Sequence, residues 1–244
     1  MLWSDQPNRL TGIILLALAA CTLLTIVFSI GTSDVNAFER DKIDDLLIDI
    51  EDNNGTAIVS LIFSILSNAV FGIAAGAALY LLLRDRNALY ALFGLAFILA
   101  GSASLLVGDA GTNTMINLAS DFAEGGPEGF DAGDPAILRD ARSVAILSSS
   151  AQIIGGTAIS VGVIAFGAII GWAPLGAVNP PRWLGWIAII AGVAGILSWL
   201  IVLGDFAFIF FAISGLGSLI FLVGLGGWLL MRAEETGAPS PAAA

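Results

Sequence analysis

Residues Ala57–Leu83 read AIVSLIFSILSNAVFGIAAGAALYLLL, twenty-seven positions without one charged side chain. An apolar run longer than ~18 residues marks a membrane span, because a helix rising ~1.5 Å per residue then crosses a ~30 Å hydrocarbon core. Only a helix lets one segment satisfy all its backbone groups inside lipid. This stretch decides the fold class, and the rest of the chain repeats its character.

Working outward, five more segments of the same kind appear. The predicted spans are 10–30, 57–83, 88–107, 144–172, 183–203 and 206–231. The reading is all-α: a polytopic membrane protein of six transmembrane helices in one domain, residues 1–232, followed by a tail at 233–244. Composition agrees, with 57% hydrophobic and 12% charged residues against about 25% charged in soluble domains. The mean hydropathy is +0.94. The internal pattern shows no repeat, since the long polar connections all lie in the first half, which speaks against inverted-repeat transporter folds.

Two polar connections carry helical patterning. Ile43, Leu46, Leu47 and Ile50 fall at i, i+3, i+4, i+7 among acidic residues, which predicts a short amphipathic helix. Met115, Leu118, Ala119 and Phe122 predict a second one, broken after Glu124 by Gly-Gly-Pro. Asp134 before Pro135 has the form of an N-cap followed by proline at the first helical position. The fourth long helix is therefore expected to start there.

Charge sets the expected orientation. The net charge is −11. With the N-terminus cytoplasmic, the inner segments hold Arg9, Arg84, Arg86, Arg182 and Arg232 against four carboxylates. The outer ones hold Arg40, Lys42, Arg139 and Arg142 against sixteen. The inner arginines sit in short connections near span ends, where the positive-inside rule applies best. Trp172, Trp183, Trp186 and Trp228 fall at the same inner boundary, where amphipathic rings collect, and Trp199 does not. Both termini are expected in the cytoplasm and both acidic loops outside the cell membrane.

Several classes are excluded or disfavoured. No basic footprint for nucleic acid exists. The chain has no His and one Cys, Cys21. It therefore lacks the commonest metal ligand and general base, and no disulfide or Cys cluster forms within it. No catalytic, metal or cofactor site is expected. Leu18-Ala19-Ala20-Cys21 has the look of a lipoprotein processing site, but residues after Cys21 stay apolar to Ile30, so an ordinary cysteine in the first span is the plainer reading. Asp49, Glu51, Asn53, Asn54 and Gly55 open like a calcium loop, yet the glycine comes late and the closing Glu is missing. A solvated acidic turn is the plainer reading there.

The polar residues of the spans are modest. Asn68 and Gln152 are expected to hydrogen-bond between helices. The pairs Gly72/Gly76 and Gly167/Gly171 allow close helix approach, either inside the bundle or against a partner chain, and enlarging Gly167 would then release that partner. Asp109 and Asp205, each after a glycine, are expected at span ends as turn or cap residues, with a polar mouth as the alternative. On that placement no ionisable group lies mid-span, which disfavours proton and ion-coupled transport. The leading expectation is a non-catalytic protein acting through contacts with lipids, partner subunits or a second copy of itself. The alternative is a transporter or channel for a neutral or hydrophobic solute.

Three stretches carry a family resemblance. They are Leu79-Tyr80 running to Arg84 with Asn87 and an Ala/Leu-rich span, the polar loop ending the third span, and Pro181-Arg182-Trp183-Leu184-Gly185-Trp186 opening the fifth. Together they resemble the bacterial and archaeal multi-pass family catalogued as domain of unknown function number forty-three eighty-six. The resemblance implies the topology above and carries no activity or functional residues with it.

Overall fold

The computed structural model describes residues 6–29, 43–124, 133–172, 180–198 and 206–237. Among them every regular element is helical. In chain order these are α1 (Gln6–Ser29), α2 (Ile43–Asp52), α3 (Asn54–Ile65), a π-helical segment (Leu66–Gly72), α4 (Ile73–Leu83), α5 (Ala88–Glu124), α6 (Pro135–Gly171), α7 (Arg182–Ser198) and α8 (Phe206–Gly237). The expected all-α class holds.

Among the described residues, five stretches are long and apolar enough to cross a membrane: Asn8–Phe28, Asn54–Leu83, Ala88–Glu124, Pro135–Gly171 and Ile209–Ala233. The expected fifth span appears as the shorter apolar helix Arg182–Ser198. Residues 199–205, and with them Trp199 and Asp205, lie outside the described residues. Large apolar side chains such as Leu89, Leu147, Ile154 and Leu216 are more than 60% exposed in the isolated chain. Such faces are stable against lipid, not water. The chain is an integral membrane protein.

The largest departure from the sequence reading is in α5. Expected to end near Val107, it continues without a break to Glu124 and absorbs the separate helix expected around Met115–Phe122. A glycine inside a helix costs only about 1 kcal/mol, and packing of Met115, Ile116 and Ala119 in a buried cluster outweighs that at Gly108 and Gly111. At 37 residues each, α5 and α6 are about 55 Å long, nearly twice a hydrocarbon core. Asp121, Glu124, Arg139, Asp140 and Arg142 gather at the ends joined in sequence. The start of α6 is as expected: Ala136 N donates to Asp134 Oδ1 at 2.7 Å, and Gly133 precedes it at φ 79°, a left-handed conformation that glycine adopts without strain.

The chain divides into two compact units. One comprises residues 1–20, 70–101 and 156–244. Its core includes Leu15, Leu79, Leu83, Phe166, Ile170, Leu184, Phe221 and Leu225. Small residues set its helix spacing: a Cβ on Gly167 would stand 2.8 Å from Ala188 Cβ, and one on Gly185 would collide with the backbone of Gly167 and Gly171. The Trp172 and Trp186 rings meet edge-on at 5.4 Å, and the Arg232 guanidinium lies 5.2 Å over Trp228. The other unit comprises residues 21–69 and 102–155. In it α2 turns Ile43, Leu46, Leu47 and Ile50 inward against Ala57, Leu61, Met115, Ile116 and Ala141.

Candidate functional site

The second unit holds a carboxylate where the sequence suggested a cap. Asp109 lies in the interior of α5, fifteen residues before its end, and is 6% exposed. Neither a turn nor a helix terminus is near it, which corrects the turn-and-cap expectation.

Its partners come from α3 and the π segment. Ser64 Oγ donates to Asp109 Oδ1 at 2.7 Å. Asn68 Nδ2 donates to Asp109 Oδ2 at 3.2 Å and to Ser64 Oγ at 3.2 Å. Each carboxylate oxygen thus accepts from a different uncharged donor, and the two donors are themselves bonded. Placing a carboxylate at the centre of a lipid-embedded helix costs roughly 2.5–3.5 kcal/mol on insertion scales. Two hydrogen bonds to a charged group return about 1.5–3 kcal/mol each, enough to hold the group without a paired cation.

The local sequence explains the arrangement. Ser64 and Asn68 are one helical turn apart and so share a face. The winding changes between them, at Leu66–Gly72, where each turn takes an extra residue. On α5, Gly108 and Gly111 flank Asp109 and let α6 come close. Ser148 Oγ donates to Gly108 O at 2.9 Å, and Ser104 Oγ donates to Ala151 O at 2.8 Å. A Cβ on Gly108 would meet Gln152 Cγ at 2.8 Å, and one on Gly111 would meet Ser148 Cβ at 2.7 Å. Nearby, the Thr22 and Ser67 hydroxyls are bonded at 3.0 Å. Ser102, seven residues before Asp109 on the same face of α5, is fully buried and its hydroxyl has no partner.

Of the residues singled out from sequence, Asn68 lies in this centre and Gln152 packs over Gly108 beside it. Gly76 faces Ile98, with a Cβ there 2.8 Å from Ile98 Cγ2. Gly167 and Gly171 both face the Gly185 region of α7. Gly72 closes the π segment, half-buried. Glycines expected as a possible partner face are therefore, at Gly76, Gly167 and Gly171, turned against this chain's own helices. The Asp49–Asn54 stretch joins α2 to α3, where Asn53 Nδ2 donates to Asp49 O at 3.0 Å and Asn54 Nδ2 to Glu51 Oε2 at 3.4 Å. Cys21 is buried within α1.

Sequence reasoning singled out Asp109 but put it at a span end, because Gly108-Asp109 has the composition of a turn. One signal was present: Ser102, Asp109 and Ile116 are spaced by sevens, which keeps them on one helix face, and all three are buried.

Comparison with known proteins supplies a family and nothing more. No curated protein and no solved structure matches the chain. The family model described as Domain of unknown function (DUF4386) matches residues 10–233. That match covers nearly the whole sequence, and the chain belongs to the Domain of unknown function (DUF4386) family.

Proposed function

We propose that this protein is a non-enzymatic transporter or channel of the cell membrane, and that a small polar solute or ion passes by way of the Asp109 centre. The carrying observation is the buried Asp109 carboxylate, held by Ser64 and Asn68 inside helices of an apolar protein. Ionisable groups at such positions are expensive, and those that persist mark solute and ion pathways by default. The sequence-based case against ion handling rested on the absence of such a group; the reading proposed here keeps the transporter class of the alternative drawn from sequence and changes its solute from neutral or hydrophobic to polar or ionic. The arginine distribution supports cytoplasmic termini.

Action through contacts, as an accessory subunit, is the second reading. It draws on the outward apolar faces of α5 and α6, which a partner helix covers as well as lipid does. Purified protein in liposomes, probed with radiolabelled Na⁺, alanine and glycerol, separates the two. Flux of at least one probe above that of empty liposomes is expected. Background flux for all three, together with a stoichiometric partner on extraction from native membranes, would establish the accessory reading instead.

A further inference from the structure

We propose that Ser64, Asn68 and Asp109 form a binding site for a monovalent cation, sodium in the first instance. The inference deepens the transport reading and rests on it only for its physiological meaning; the site itself is an equilibrium property of the folded protein.

The geometry supplies the ligands. Ser64 Oγ lies 2.7 Å from Asp109 Oδ1, and the Asn68 amide bridges Ser64 Oγ and Asp109 Oδ2. The Asn68 amide points its nitrogen at both Asp109 Oδ2 and Ser64 Oγ, each at 3.2 Å. Half a turn of that amide places its oxygen where the nitrogen stands, since the two ends of the group are alike in shape. The Ser64 hydroxyl proton can turn to a carbonyl of its own helix, as serines in helices do. The centre then changes from a closed set of donors on a carboxylate to a cradle of four side-chain oxygens. Hard cations take such oxygen sets.

Charge fixes the valence. One carboxylate balances one positive charge. A divalent ion would leave an uncompensated charge in a low-dielectric interior. The π segment that carries Asn68 points the same way, because such local rewinding clusters at functional sites.

The test is thermal unfolding of detergent-purified, full-length protein titrated with NaCl against choline chloride at constant ionic strength. The expected result is a saturable rise in Tm with Na⁺ alone, abolished in Asp109→Asn, which keeps the shape of the side chain. Asn68→Asp provides a second variant: with two carboxylates, the site should respond to Ca²⁺ where the natural protein does not. Equal shifts with NaCl and choline chloride, or a sodium response retained by Asp109→Asn, would overturn the proposal. Sodium binding without flux of any probe leaves the site standing and removes the transport reading. Alanine or glycerol flux without a sodium effect on Tm does the reverse.

Discussion

Ser64 Oγ stands 2.7 Å from Oδ1 of Asp109, forty-five residues later in the chain. The bond ties α3 to the middle of α5 within one compact unit. Because the acceptor is a carboxylate, deleting the hydroxyl is expected to cost about 1–3 kcal/mol. A double-mutant cycle of Ser64→Ala with Asp109→Asn should give a coupling energy of about 0.5–3 kcal/mol. Additivity of the two changes in chemical unfolding would show that the pair does not interact.

Asp109→Leu is expected to be worse than Asp109→Asn. Asparagine can still accept from Ser64, whereas leucine takes away the acceptor of both half-buried donors, Ser64 and Asn68, at about 0.5–1.5 kcal/mol each. Unfolding in a denaturant series would compare them. Equal stability of the two variants would mean that water reaches Ser64 and Asn68 in the natural protein.

The helix contacts of the other unit lead to a prediction opposite to the one drawn from sequence. Gly167→Leu should destabilise the fold, by about 1–3 kcal/mol or more, because a Cβ there already meets Ala188 at 2.8 Å and Gly185 O at 2.8 Å. Gly185→Ala should be at least as damaging, since its neighbours are backbone atoms that no rotamer change moves. Size-exclusion profiles and Tm in detergent check both. A normal Tm with loss of a bound partner would restore the partner-face reading.

On α2, Leu47 is fully buried while Ile48 is 51% exposed. Leu47→Asp should destabilise strongly, because it buries a charge in an apolar cluster. Ile48→Asp should change stability by no more than about 0.5 kcal/mol. Limited proteolysis between α1 and α3 reads the difference. Equal protection of the two variants would mean that the α2 stripe is not packed.

These predictions mark what the sequence alone could and could not supply. Five long apolar helices were legible because length and apolarity are local properties, while the expected span 183–203 is described only as the shorter helix Arg182–Ser198. So were α2, from its i, i+3, i+4, i+7 stripe, and the start of α6, from Asp134-Pro135. The continuation of α5 was not, because the local preference of Gly108-Asp109 for a turn is overridden by packing at Ser148 and Gln152 from a distant helix. The π segment was hidden for the same reason: nothing in Leu66–Gly72 announces it, and the bonds to Asp109 that accompany it come from far along the chain. Asn68 was picked out as an interhelical residue, but its partner could be found only in three dimensions.

The orientation is open to direct measurement. With Cys21 replaced, single cysteines at Asp45 and Arg84 are expected to react from outside and inside respectively, following the placement of the arginines near span ends. Labelling of position 84 from outside would invert the topology.

The central claim is that Asp109 is kept for function rather than for folding. Stability and probe flux measured side by side on Asp109→Asn, in the same purified samples, test it most directly. The account predicts unfolding within about 1–2 kcal/mol of the natural protein, the scale of one weakened hydrogen bond, with the flux seen in the natural protein lost. Flux that survives the substitution undiminished would contradict it and leave Asp109 a structural residue.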